Sequence, residues 1–312
     1  MDREKEKIIE VSHLVKAFES KKAVDTISFH VNRGELFGFL GVNGAGKSTT
    51  INMLCTMYEQ DQGSISICGL DSKKEKKKIQ KKIGVVFQNN TLDERLTIRD
   101  NLISRGVLYE KNWKRTNENM NRVALHLGIE DLLMRKFSEL SGGQKRRCEI
   151  ARAIMNEPEI LFLDEPTTGL DPQSRKIVWD SIDWLRKEEG LTVFLTTHYM
   201  EEAAKADQIG VMDAGRLVAN AKPYQLKQEF ARDSMKLIPI NQEAREQIGS
   251  YLKEMGHPFL NSSHQISVTL NQAIDAIPLL GRLKEKVASF EVIQGTMDDV
   301  FLNITGRQLE HE

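Results

Sequence analysis

Leu36-Phe37-Gly38-Phe39-Leu40 runs into Gly41-Val42-Asn43-Gly44-Ala45-Gly46-Lys47-Ser48, and from about Lys47 to Cys55 the residues suit a helix. An apolar run, a glycine-rich turn and a helix in that order begin an α/β fold. The turn satisfies G-x-x-x-x-G-K-[ST], the P-loop pattern, and its chemistry follows from the residue types. Glycines let the backbone close around an anion with successive N–H groups pointing inward. The helix that follows adds its positive N-terminus. Lys47 is placed to reach β- and γ-phosphates, and Ser48 to offer a hydroxyl to Mg2+. Asn43, Gly44, Gly46 and Thr49 complete the expected phosphate cradle.

Ile160-Leu161-Phe162-Leu163-Asp164-Glu165 supplies the second half of such a site. Four apolar residues suit a buried strand that delivers two carboxylates at its C-terminal end, where open α/β sheets bind ligands. Neighbouring strand residues point to opposite faces, so Asp164 and Glu165 can take different tasks. Asp164 suits Mg2+ through a water, and Glu165 suits the orientation of an attacking water. A pair of exposed acids capping the next helix is the plainer alternative. Gly84 to Phe87 and Thr192 to Leu195 are further apolar runs fit for buried parallel strands. These features specify a P-loop NTPase and stop there, because GTPases and helicases share them.

The class narrows at Leu140-Ser141-Gly142-Gly143-Gln144, about a hundred residues beyond the P-loop. Ser141, Gly142 and Gly143 precede a helix from Gln144 to Met155 and form a second anion-binding N-terminus. Ser141 also suits a plain helix N-cap, and both uses draw on the same N–H groups. With these residues in place, the chain resembles the nucleotide-binding subunits of ABC transporters over roughly residues 8 to 225. Leu140 to Gln144 is similar to that family's signature motif. Gln88 resembles its Q-loop glutamine, Asp171 in Gly169-Leu170-Asp171 its D-loop aspartate, and His198 its switch histidine. Phe18 resembles the aromatic that stacks on adenine, although a core aromatic is also open. Val42 departs from the family, which usually has proline there, and its side chain is expected to point away from phosphate. Thr91 to Thr97 and Thr296 to Leu302 are similar to segments of ATPases serving drug and antibiotic exporters of the ABC-2 type.

The resemblance implies ATP and Mg2+ as ligands, with Ser48, Gln88 and Asp164 on the metal side and Glu165, His198 and Gln88 catalytic. It implies that Ser141, Gly142, Gly143, Gln144 and Asp171 serve nucleotide in a head-to-tail homodimer. An ABC-2-type membrane permease is the expected partner, which places the chain on the cytoplasmic face of the cell membrane. The expected cargo is a drug, an antibiotic or another hydrophobic compound. A soluble ABC-type ATPase acting on ribosomes or DNA is the alternative. Ribosome-acting members normally carry two nucleotide-binding units on one chain, and no long coiled-coil insertion fits between residues 49 and 139.

At 312 residues the chain has room for two domains. Between Gln88 and Pro158 strand-like runs give way to helical periodicity, with Val123, Leu125, Leu127 and the Leu132–Leu133 pair among polar residues. This predicts a helical subdomain over about 89–158 within a nucleotide-binding domain of residues 1–230. A hairpin is expected over Val211 to Val218, turning at Asp213-Ala214-Gly215. Residues 234–306 then predict a small α/β accessory or regulatory domain in βαβαβα order. Its helical faces are Ala244, Ile248, Leu252, Met255 and Ile274, Ile277, Leu280, Leu283; Ile266, Val268 and Leu270 mark a half-buried strand.

The balance of 44 basic against 45 acidic residues gives no support to a nucleic-acid partner. Seven lysines between Lys73 and Lys82 read as a solvated loop in preference to a phospholipid contact. Cys55, Cys68 and Cys148 form no CxxC pair, which argues against a metal site or disulfide framework. The charged start, Met1 to Lys7, lacks the apolar region of a leader. No apolar stretch approaches the ~18 residues of a membrane span, so a membrane role must come through a partner.

Overall fold

The computed structural model describes residues 6–19, 21–262 and 264–306, so most of the charged start lies outside them. The chain opens with β1 (Lys7–Phe18), β2 (Lys21–Asn32), β3 (Leu36–Leu40), α1 (Lys47–Leu54), β4 (Gln62–Ile67), β5 (Leu70–Asp71), α2 (Lys76–Lys82) and β6 (Ile83–Val86). Helical structure follows in α3 (Ile98–Gly106), α4 (Trp113–His126) and α5 (Gly142–Ile154). Next come β7 (Ile160–Asp164), α6 (Pro172–Glu189), β8 (Thr192–Thr197), α7 (Met200–Ala203), β9 (Gln208–Asp213) and β10 (Arg216–Ala221). The last part holds α8 (Pro223–Phe230), β11 (Asp233–Pro239), α9 (Gln242–Glu254), β12 (Phe259–Asn261), β13 (Ile266–Leu270), α10 (Ala276–Leu283), β14 (Val287–Ile293) and α11 (Met297–Thr305).

Residues 6–221 form the first compact unit. An antiparallel sheet in the order β2-β1-β4-β5 belongs to it, with a second sheet in the order β10-β9-β3-β8-β7-β6. In the second sheet β6, β7, β8, β3 and β9 run parallel, and β10 returns antiparallel beside β9. The return is the expected hairpin. Ala214 and Gly215 both have positive φ, 47° and 81°, as a tight primed turn requires.

The strands β3, β7 and β8 are buried throughout, which explains why they read as unbroken apolar runs. Phe29 of the first sheet meets Phe37, Phe39 and Phe194 of the second, with ring centroids 5.2–6.0 Å apart. Each such buried ring contributes roughly 1.5–3 kcal/mol. This core locks strand register, and register sets the site. Leu40 pairs with Thr197, Asp164 with Thr196, and Val86 with Leu163. The C-terminal ends of β3, β8, β7 and β6 are therefore level along one edge.

Over residues 89–158 the structure is helical. The α4 helix buries Met120, Val123 and Ala124, while Leu125 is 58% exposed. Leu125 stands about 200° round the helix from Val123, so it cannot share that face. Of the lysine-rich stretch, Lys76 to Lys82 form α2, while Lys73 and Lys74 lie in the turn before it. Ile79 anchors that helix in the core, and most of its lysines stay in solvent.

Residues 222–306 form the second unit. Its sheet is antiparallel in the order β12-β13-β11-β14. The order from β11 to β14 is βαββαβ, the split-βαβ arrangement, with one strand more than expected. That strand is only three residues long, too short to show an alternating pattern. The α8 helix belongs to this unit, where Asn303 Nδ2 donates to Phe230 O at 2.6 Å. The division therefore falls before Lys222, ahead of the expected boundary at 230. Met235, Leu237, Ile248, Leu252, Ile266 and Val268 build the core. Ile274, Ile277 and Met255 are exposed, against expectation. Ala273–Asp275 is a tight 3-10 turn, and α10 starts at Ala276 and buries Ala276 and Leu279 with the expected Leu283.

Candidate active site

The site grows from the edge where β3, β8, β7 and β6 end. After β3 the chain turns through Gly41 to Gly46 into α1. Gly46 has φ 105°, and a Cβ there would lie 2.4 Å from Ala23 O, so only glycine fits. Gly46 is also the N-cap of α1 and supplies no side-chain cap, which leaves the first-turn N–H groups for an anion. Val42 is partly buried against the apolar core, away from that cradle.

Lys47 is only 4% exposed. Its Nζ donates to Gly41 O at 2.7 Å and Val42 O at 3.2 Å, and lies 3.7 Å from Glu165 Oε1. Burial pulls its pKa down, while Glu165 and Asp164 act in the other direction. Ser48 Oγ donates to Asp164 Oδ1 at 3.3 Å, and Thr196 Oγ1 donates to the same oxygen at 2.5 Å. A hydroxyl and a carboxylate thus converge at one point, a donor set that suits a hard cation whose remaining ligands are waters and phosphate oxygens. Among the described residues no cluster of three or more His, Cys, Asp or Glu could hold a metal alone.

Glu165 is buried and has φ 47°, in the left-handed region. Its N–H donates to Thr196 Oγ1 at 3.1 Å. Oε2 accepts from Thr168 Oγ1 at 3.2 Å and Gln88 Nε2 at 3.4 Å, with His198 Nδ1 also 3.4 Å away. His198 beside it holds the carboxyl below the usual carboxylate range; burial opposes this and Lys47 assists it. Four neighbouring strand ends therefore deliver Lys47, Asp164, Glu165, Gln88 and His198 to one place.

A cleft of about 450 Å3 is lined by Phe18, Asn43, Gly44, Gly46, Lys47, Ser48, Thr49, Gln88 and Glu165. Phe18 is 44% exposed, which removes the core-aromatic alternative, and Tyr58 meets it edge-on at 5.7 Å. Ser141, Gly142, Gly143, Gln144 and Asp171 do not line this cleft. Ser141 caps α5 in a capping box with Gln144. Gly143 lies against Ser174, where a Cβ would come within 2.5 Å of Oγ. Asp171 caps α6 by accepting from Ser174 N at 2.9 Å.

Sequence reasoning missed the groups that fix this arrangement. Thr196 serves both carboxylate residues. Buried Glu202 accepts from Thr167, from Trp179 Nε1 at 3.2 Å and from Thr197 Oγ1 at 2.7 Å, joining the segments that carry Glu165 and His198. Arg146 and Glu149 are buried on α5 beside Gly143, Ile150 and Ala153. Two charges on the buried stripe of a helix were the available signal.

The family description "ABC transporter" matches residues 24–168. The daunorubicin/doxorubicin resistance ATP-binding protein DrrA of Streptomyces peucetius is 37% identical over 313 residues, covering 98% of this chain and 94% of that protein. The Nod factor export ATP-binding protein I of Paraburkholderia xenovorans is 35% identical, covering 98% and 99%. Among solved structures, cbiO1 from Clostridium perfringens, part of the ABC transporter complex cbiONQ, superposes with a TM-score of 0.67 at 27% identity, covering 80% of this chain and 98% of that one. The ATP-binding cassette MJ0796, in a dimeric post-hydrolysis state with ADP and Pi, gives 0.62 at 26%, covering 69% and 98%. The phosphate cradle, the paired carboxylates and likeness over nearly the whole length agree: the chain belongs to the ABC transporter family, as one of its ATP-binding, ATP-hydrolysing subunits.

Proposed function

We propose that two copies of this chain power export through a separate ABC-2-type membrane permease, at the cytoplasmic face of the cell membrane. The observation that carries the reading is full-length likeness to two ATP-binding proteins, one named for drug resistance and one for export. It extends through the second unit, beyond the nucleotide-binding part. Among the described residues no helix is long and apolar enough to cross a membrane, so a spanning subunit supplies the path. The cargo class that fits the relatives' names is a drug, an antibiotic or another hydrophobic compound.

The position of each residue supports a role. Phe18 presents a half-exposed ring to the adenine base. Asn43, Gly44, Gly46 and Thr49 offer loop and helix N–H groups to the phosphates, and Lys47 adds its charge. Mg2+ would be held by Ser48, by Asp164 through water and on the Gln88 side, and it supplies charge neutralisation on the phosphates. Glu165 orients the attacking water and accepts its proton as the water oxygen bonds to the γ-phosphorus and the bond to the bridging oxygen breaks. His198 and Gln88 steady that carboxylate. Ser141, Gly142, Gly143, Gln144 and Asp171 stand apart from the cleft, which favours their use on the nucleotide of a second copy. The second unit is an accessory or regulatory domain that steadies the pair.

Co-expression with the candidate permease tests this. The chain should co-purify with that multi-span protein, and inside-out vesicles holding both should accumulate daunorubicin only with MgATP. Co-purification with ribosomes or DNA, and not with membrane protein, would overturn it.

A further inference from the structure

The signature helix reaches back into the site of its own chain. Arg146 lies two residues past Gln144 and is buried. Its Nη1 donates to Phe87 O at 2.7 Å, and its Nη2 to Gln88 O and Glu165 O, each at 3.3 Å. Further along the same helix Glu149 accepts from Thr91 N, from Thr91 Oγ1 at 2.8 Å and from Leu92 N at 2.9 Å. Arg152 Nη2 donates to Val85 O at 2.6 Å. One stripe of α5 thus holds the backbone before, at and after Gln88.

Glu165 needs such holding. A non-glycine residue at φ 47° is strained and persists only where its surroundings fix it. Thr196 fixes the N–H side of Glu165, and Arg146 fixes the C=O side. Because α5 is an unbroken helix of 13 residues, a shift of its N-terminus moves Arg146 as part of the same rod.

We infer that Arg146 is a positioning residue that clamps the backbones of Glu165 and Gln88 to the signature helix. Seating Ser141 to Gln144 on one nucleotide then sets the carboxylate that acts on the other. The inference rests on the proposed pair of shared sites. A planar guanidinium holds its donors to three carbonyls in fixed directions from two nitrogens, whereas the rotatable donors of lysine all leave one atom on a flexible stem.

The test uses the full chain with Arg146→Met and Arg146→Lys, measuring MgATP turnover, equilibrium ATP binding and melting. Arg146→Met should lower kcat about a hundredfold, as expected for a misplaced reacting group. Its KM should stay within about twofold, the mark of an interaction used in the transition state. The Hill coefficient for ATP should fall to about 1, showing loss of coupling. Arg146→Lys should lie between Arg146→Met and the parent chain and melt like the parent. If Arg146→Met does not fold, Arg146→Lys decides alone. Parent kcat and Hill coefficient in a folded variant would overturn the inference, and so would a kcat loss matched by lost ATP binding. Lys47→Ala is the control: hydrolysis by that variant would mean that the proposed site, not the clamp, is wrong.

Discussion

The α1 and α5 helices both begin on glycine-rich turns, yet their first turns are completed in opposite ways. At α1 the N-cap is Gly46, with no side chain to satisfy the N–H groups, and the surroundings are Lys47, Asp164 and Glu165, all buried. At α5 the N-cap is Ser141, whose hydroxyl and Gln144 close a capping box at an exposed end. A serine cap of this kind contributes roughly 1 kcal/mol and, with Gln144, satisfies the Ser141 and Gln144 N–H groups without a ligand. The first turn of α1 is left open to an anion. One end is a socket with its own chemistry. The other is a capped, exposed end that stands apart from the cleft.

The largest effect expected from this contrast is at Glu165. Glu165→Gln keeps the shape of the socket and its N–H groups but removes the proton acceptor. Turnover should fall by about a thousandfold, within the range for losing a general base. ATP binding should persist, and ATP should now trap a closed dimer visible by size-exclusion chromatography. Near-parent turnover would remove Glu165 from the chemistry and leave the socket as a binding site only.

A smaller effect separates the two ends directly. Ser141→Arg puts a bulky cation where the nucleotide of the other copy should sit, so the variant alone should not hydrolyse ATP. Its own socket is untouched, and ATP binding by the monomer should be unchanged. Mixed one to one with Lys47→Ala, half the dimers are heterodimers with one intact site each, which limits recovery to about a quarter of parent activity. If Ser141→Arg abolishes ATP binding by the monomer, the two ends act on one nucleotide and the contrast collapses.

Much of the socket was legible in the sequence because each part sits at the end of a buried parallel strand. Such strands announce themselves as apolar runs, and the residue following each run is placed by the register. The signature turn was legible for a similar reason, since Ser141 and its glycines mark a helix start. Arg146, Thr196 and Glu202 were not. Their importance lies in contacts 19 to 59 residues away along the chain for Arg146, and 31 or 32 for Thr196. Spacing along the chain does not encode such contacts. The second unit shows another limit. Apolar residues on α10 admitted two faces, and the 3-10 turn at Ala273–Asp275 chose between them.

The smallest expected effect is electrostatic. Glu165 is buried and faces Lys47, His198, Gln88 and Thr168. Its carboxyl is held below the ordinary value of 4.5, foremost by His198. Asp171, the N-cap of α6, is also lowered, through its bonds to Ser174, but it is open to solvent. A carboxyl with a lowered folded pKa adds stability that is complete above its unfolded value and disappears as pH falls through the folded one. Lys47 behaves differently. Burial lowers its pKa, so its ammonium opposes folding below the folded pKa and ceases to do so as pH rises toward 10.5. An acid titration therefore separates the carboxyl from Lys47. Without nucleotide, the Tm of the parent minus that of Glu165→Gln should shrink as pH falls below about 5. Asp171→Asn should show the same direction with a smaller amplitude, because solvent screens an exposed charge. A parent-minus-variant difference that grows on acidification would mean that burial outweighs His198, that the Glu165 carboxyl is raised, and that the socket does not hold its base ionised.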